Sequence, residues 1–168
     1  GIYGYYDLNQ VQISNNTISN ATEYGIFLED LSNVSIIYNI ISTFIKTEGT
    51  EMPIYINSIG NVSVYYNVFI STGDQAAYLA KGDSSGITWY NTSLQIGNYW
   101  SNWDGSGSYV IQNGGGEDDE YPFIDFDGDN LNETLEVVDY GTDPFNADSD
   151  SDGLPDGEPE HVIVPEES

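Results

Sequence analysis

A short stretch of sequence returns three times in this chain and sets the limits on what it can fold into. Val11-Gln12-Ile13-Ser14-Asn15-Asn16-Thr17-Ile18, Val34-Ser35-Ile36-Ile37-Tyr38-Asn39-Ile40-Ile41 and Val62-Ser63-Val64-Tyr65-Tyr66-Asn67-Val68-Phe69 share the pattern V-x-[IV]-x-x-N-x-[IF], with starts 23 and 28 residues apart. A second motif leads each later copy by nine residues: Gly25-Ile26-Phe27-Leu28 before Val34, and Pro53-Ile54-Tyr55-Ile56 before Val62. Gly1-Ile2-Tyr3, Ala77-Tyr78-Leu79 and Ile87-Thr88-Trp89-Tyr90-Asn91 are weaker echoes. Within each unit β-branched and aromatic residues alternate with polar ones, and Asn, Gly, Ser and Asp separate the runs, which is strand chemistry. A period in the twenties built from short strands predicts a solenoid in which each turn stacks on the next.

The expected fold is therefore all-β: a right-handed parallel β-helix of about three and a half turns over residues 1–97, beginning mid-turn. Asn16, Asn39 and Asn67 recur at one position of the turn, where asparagine tolerates left-handed backbone and can hydrogen-bond its stacked equivalent. At about 4.8 Å per turn the stack is roughly 17 Å tall and has an open edge at each end. The expected partner is more of the same polypeptide, or a neighbouring subunit of a homo-oligomer, stacked on the N-terminal edge.

Charge divides the chain. Of 28 acids, eight precede residue 104 and 20 lie from Asp104 onward, against only Lys46 and Lys81, for a formal net charge of −26. Nucleic acid and anionic membrane surfaces are excluded as partners on Coulombic grounds. The absence of cysteine removes disulfides and thiolate metal sites, and no apolar run is long enough for a membrane-spanning helix. The organisation expected is a coil over 1–97, an aromatic capping segment over 98–123 and an acidic segment over 124–168.

The acidic segment contains two loops with calcium spacing. Asp148, Asp150, Asp152 and Asp156 occupy positions 1, 3, 5 and 9, Gly153 position 6, and Leu154 would offer its carbonyl at 7. Pro159 stands at position 12, so Glu158 or Glu160 would have to supply the last ligand. The other loop places Asp125, Asp127 and Asp129 at 1, 3 and 5, the Leu131 carbonyl at 7, Glu133 at 9 and Glu136 at 12, with Asn130 replacing the usual glycine at 6. Alternate carboxylates in a turning loop converge on one point, and order among so many acids calls for a counter-charge; Ca2+ is the cofactor expected. Glu117 to Glu120 are contiguous acids and read as a solvated loop.

The repeat resembles the parallel β-helix repeats of archaeal and bacterial surface proteins and of carbohydrate-active enzymes. Gly97-Asn98-Tyr99-Trp100-Ser101 is similar to a motif that ends such helices, and Tyr121-Pro122-Phe123 to the Tyr-Pro that follows it. A related family is the periplasmic β-helix protein that assists copper insertion, although this chain has no His, Met or Cys cluster. The acidic loops, with Thr142-Asp143-Pro144 between them, resemble thrombospondin type-3-like calcium repeats.

The function these features imply is an extracellular or cell-surface structural protein, stabilised by calcium, with a subunit of a filament or surface layer as one form. Asn15, Asn20, Asn33, Asn61, Asn91 and Asn132 head N-x-[ST] sequons, the pattern of a glycoprotein. A carbohydrate-binding module is the alternative, resting on 14 Tyr that can line an outward stripe. The other alternative, a polysaccharide-processing enzyme, would draw on Glu29, Asp30, Glu48, Glu51, Asp74 and Asp83 with Lys46 and Lys81. None of these fall at equivalent positions of successive turns, so no catalytic residue is assigned. His161-Val162-Ile163-Val164 is a candidate terminal strand.

Overall fold

The computed structural model describes residues 1–6, 9–21, 23–43, 52–57, 60–72, 79–83, 85–112 and 118–158. It forms two compact units, Gly1–Phe123 and Ile124–Ser168. The first is an all-β parallel β-helix with three sheets. One contains β1 (Ile2–Tyr5), β4 (Tyr24–Glu29), β7 (Met52–Asn57) and β10 (Ala80–Gly82). The next contains β2 (Asn9–Ser14), β5 (Ser32–Ile37), β8 (Val62–Tyr65) and β11 (Ile87–Thr88); the last contains β3 (Thr17–Ala21), β6 (Ile40–Thr43), β9 (Val68–Ser71) and β12 (Tyr99–Trp100).

Every pairing joins one turn to the next, in the register of the repeat. Val11 faces Val34, Val34 faces Val62, and Val62 faces Ile87. Ile2, Ile26, Ile54 and Ala80 form a second inward row. Ile18, Ile41, Phe69 and Trp100 form a third. Most of these side chains are buried, and together they make one contiguous core. The core broadens toward its C-terminal end, where Trp100 stacks between Phe69 at 4.5 Å and Tyr109 at 4.3 Å. Gly82 leaves room there, since a Cβ would stand 3.2 Å from Ile87 and 3.5 Å from Trp89.

The asparagine ladder forms, and it is longer than the repeat suggests. Asn16 Nδ2 donates to Asn39 Oδ1, Asn39 Nδ2 to Asn67 Oδ1, and Asn67 Nδ2 to Asn98 Oδ1, each at 2.9 Å. Each of those carbonyl oxygens also accepts the backbone N–H of the asparagine before it. The left-handed conformation falls one residue earlier than expected, on Asn15, Tyr38 and Tyr66, with φ of 56°, 55° and 56°. That residue turns the chain so that the following asparagine points inward. Tyrosine adopts this conformation reluctantly; the Tyr38 and Tyr66 rings stack 5.0 Å apart, which helps to offset the strain.

The echo at Asn91 is not a rung. A loop closed by the Asn91 and Ile96 backbones, with N–H···O distances of 2.7 and 3.3 Å, leaves the coil, and Asn98 takes the ladder position instead. Residues 98–100, expected in a cap, thus complete the third sheet. The acid run corrects a further expectation: Asp119, read as part of a solvated loop, is fully buried and terminates the ladder. Its Oδ2 accepts Asn98 N at 2.8 Å, Asn98 Nδ2 at 3.2 Å and Trp100 Nε1 at 2.9 Å; its Oδ1 accepts Tyr121 N at 3.1 Å. Only glycine fits beside it, since a Cβ at Gly97 would lie 1.9 Å from Asp119 Oδ1. Single bridges of Gln112 to Lys81 and of Phe123 to Tyr99 then cover this end. Trp103 is half-buried against the core, as a capping residue would be.

Burial raises the Asp119 carboxyl to about 6 despite its four N–H donors. The folded chain therefore holds this proton more tightly than the unfolded chain, and the group favours folding below pH about 4. That contribution is lost as pH rises toward 6. In urea titrations the parent should lose stability relative to Asp119→Asn between pH 4 and 6, and a pH-independent difference would contradict this.

The ladder makes a second forecast. Removing an interior rung with Asn67→Ala takes an acceptor from Asn39 N and a donor from Asn98 Oδ1 and the Ile36 and Tyr65 carbonyls, at roughly 1–3 kcal/mol for each partner left unsatisfied. Asn16→Ala, at the half-buried end, should cost less than half as much. Equal losses in denaturant unfolding would mean that the rungs do not act as a ladder.

Candidate functional site

The second unit is built around the two acidic loops, and their own backbones order them. Asp125 accepts Gly128 N at 2.6 Å and Asn130 N at 3.1 Å; Asp129 accepts Leu131 N at 2.6 Å, and Glu133 accepts Phe126 N at 2.6 Å. Asn130 takes φ of 75°, the positive value its loop position requires. In the other loop Asp148 accepts Asp152 N at 3.1 Å and Gly153 N at 2.9 Å, Asp150 accepts Asp152 N at 3.0 Å, and Asp152 accepts Leu154 N at 2.9 Å. Gly153 sits at φ of 93°. Between the loops, a π-helical segment over Leu135–Tyr140 ends on Gly141, whose N–H reaches the Glu136 carbonyl at 2.6 Å. Loop order therefore has a source other than the counter-charge expected from composition: turn N–H groups donating to aspartates.

Among the described residues the carboxylates gather into three groups, each with ligand oxygens within 4.8 Å of one another: Asp125, Asp127 and Asp129; Asp129, Glu136 and Asp156; and Asp148, Asp150 and Asp152. The middle group differs from the expected pattern. Asp156 leaves the set of its own loop to join Asp129 and Glu136 of the other, and all three are buried. It also accepts Ser149 N at 3.2 Å, which ties it to both loops. Gly157 permits the approach, since a Cβ there would stand 2.1 Å from the Asp129 carbonyl oxygen. Glu158 is exposed and belongs to none of the groups; Leu131 is half-buried and Leu154 is 45% exposed. Glu160 and the 161–164 segment lie outside the described residues.

Crowding of like charges shows in the electrostatics. Burial pushes Glu133 up to about 8, against the pull of its N–H donors. Burial, then Asp127 and Asp129, raise Glu136 to about 8. Asp127 rises to about 6, through burial and then Asp129. Asp127 Oδ2, Asp129 Oδ2 and Glu133 Oε2 are buried without a hydrogen-bond partner.

A family model described as "Periplasmic copper-binding protein (NosD)" matches residues 1–105, the coil through its last strand. The chain belongs to the NosD family. No curated protein and no solved structure matches it significantly. Copper draws on thiolate, thioether and imidazole donors, and this NosD-family chain has no Cys, one Met and one His. Met52 is buried in β7 and His161 lies outside the described residues, so the donors present do not fit copper. The expectation of Ca2+ is corrected as well. The family's description names copper and not calcium, the match ends before the acidic loops, and clustered acids do not by themselves specify an ion.

Of the sequon asparagines, Asn15, Asn20, Asn33 and Asn61 are exposed on the coil. Asn91 and Asn132 are half-buried, and their side-chain oxygens accept loop N–H groups at 3.0 to 3.1 Å. Among the acids weighed for catalysis, Asp83 pairs with Lys81 at 2.8 Å, while Lys46, Glu48, Glu51 and Asp74 lie outside the described residues.

The contact at Gly157 can be broken directly. Gly157→Ala should destabilise the second unit by about 1–3 kcal/mol, seen as lost hydrogen-exchange protection at the Leu131 and Asp156 amides. Unchanged protection would mean that the two loops do not meet there.

Proposed function

We propose that this chain is a structural module of the cell envelope or cell surface, outside the cytoplasm, in which the β-helix is a stacking element and not a catalyst. The observation that carries this reading is the unequal finish of the two ends of the coil. At the C-terminal end Trp100, Tyr109, Ile111 and Asp119 are buried, and bridged segments cover the last strands. At the N-terminal end Ile2, Val11 and Ile18 are only partly buried against the core. Among the described residues β1, β2 and β3 each have one neighbouring strand, so each offers a second row of backbone donors and acceptors.

Such an edge recruits another strand unless charge, proline or a covering segment blocks it. β1 to β3 contain no charged residue and no proline. A further turn of parallel strands, from the same polypeptide or a second copy, would extend the three inward rows. Repeated, the contact is head-to-tail and gives a filament or layer. The family's periplasmic description supports placement outside the cytoplasm, and no described helix is long and apolar enough to cross a membrane. Exposed sequon asparagines, if glycosylated, would decorate the sides of such a stack and leave its ends free.

The 168-residue chain should associate in a concentration-dependent manner in sedimentation experiments. Charges on the rim, Ile2→Lys with Val11→Lys, should abolish this and leave the buried core of later turns protected from exchange. A chain that stays monomeric at all concentrations would sink the second-copy form. Edge amides already fully protected in that monomer would sink the reading altogether.

A further inference from the structure

We infer that the occupant the N-terminal edge fits is a turn joined ahead of Gly1 whose residue in the ladder column is asparagine, and that the C-terminal end of a second copy is the poorer match. The inference rests on the stacking proposed above and adds which partner the edge selects. Each interior carbonyl oxygen of the ladder takes two donors from the asparagine one turn nearer the N-terminus. Asn39 Oδ1 takes Asn16 Nδ2 at 2.9 Å and Asn16 N at 3.1 Å, and Asn67 Oδ1 takes Asn39 Nδ2 and N at the same distances. Each interior Nδ2 also reaches a backbone carbonyl one turn nearer the N-terminus: Asn39 reaches Ile13 O, Asn67 reaches Ile36 O and Asn98 reaches Val64 O, at 2.9 to 3.0 Å.

Among the described residues Asn16 has neither contact. Its Oδ1 accepts from no described residue, and its Nδ2 reaches only Ser14 O and Asn39 Oδ1, both at 2.9 Å. Ile13 is already buried beside it, and Val11 and Ile18 are partly buried. A turn laid over these side chains takes Asn16 out of water, where an acceptor without a donor is costly. The covering turn must therefore bring a side-chain amide and a backbone N–H to Asn16 Oδ1, and a carbonyl to Asn16 Nδ2. In each rung here that carbonyl belongs to the residue at the [IV] position, three before the asparagine, as Ile13 stands to Asn16 and Ile36 to Asn39. Another V-x-[IV]-x-x-N turn thus meets all three needs. The C-terminal end of a second copy does not, because its column ends on Asp119, a fully buried carboxylate that only accepts, beneath the bridged segments at Gln112 and Phe123. Such a copy can pair strands with β1 to β3 and still leave Asn16 unmet.

Two extended chains test this, one with a copy of residues 25–52 and the other with a copy of residues 53–78 fused ahead of Gly1. The register of the first sheet sets the copied Ile26 or Ile54 against Ile2, and so brings the copied Asn39 or Asn67 over Asn16. In both chains hydrogen exchange at the β1, β2 and β3 amides should slow by about a hundredfold relative to the 168-residue chain, and concentration-dependent association should disappear. Replacing the copied rung, Asn39→Leu or Asn67→Leu, removes the amide without adding charge and should lose about tenfold of that gain, with protection in β7, β8 and β9 unchanged. Leucine and asparagine rungs that protect equally would overturn the inference and leave the stacking standing. Edge amides as well protected in the self-associated 168-residue chain as in the extended ones would also overturn it, because a second copy would then satisfy the edge. If neither extension slows exchange, the inference falls together with the stacking on which it rests.

Discussion

The described strands of this coil pair only from one turn to the next, and the rest of the structure depends on that constraint. A strand cannot satisfy its N–H and C=O groups with its sequence neighbours, so one turn must return to the same register as the last. A slip of one residue would turn Ile26, Ile54 and their equivalents outward. The amide ladder guards against this from the inside. Asn39, Asn67 and Asn98 are each bonded to the rung beyond and to backbone carbonyls at two levels, as when Asn39 Nδ2 reaches both Ile13 and Ile37 oxygens. Buried amides with this many obligations are stable in one arrangement and costly in any other.

Repetition is what made the fold legible in the sequence. The spacings of Val11, Val34 and Val62 and of Asn16, Asn39 and Asn67 are the pairings found in three dimensions. The reading weakened where the repeat was interrupted. The excursion closed by Asn91 and Ile96 displaces the next rung to Asn98, and the period alone points to Asn91. Asp119 was hidden differently, because an acid among acids reads as solvated, although aspartate is an asparagine in shape. The clue available was the glycine at 97, which leaves space for a carboxylate that only a three-dimensional view supplies.

The acidic unit was legible as two turning loops, and position 6 of each takes the expected positive φ. Local spacing did not reveal the crossing of Asp156 to Asp129 and Glu136, since that depends on how one loop packs on the other. Nor does local spacing name an ion. The same aspartates serve as acceptors for turn N–H groups, so a pattern of alternate acids encodes a backbone shape as directly as it encodes a ligand set.

The ladder also has a direction. An asparagine side chain both gives and takes a hydrogen bond, so a column of them can be lengthened without limit, whereas a carboxylate only takes. Asp119 therefore receives from Asn98 and Trp100 and has nothing to hand on, while at the opposite extremity Asn16 Oδ1 accepts from no described residue. One exchange of –NH2 for –O⁻ acts as a chemical full stop. In this column the exchange comes at Asp119, and the ladder of side-chain amides ends there.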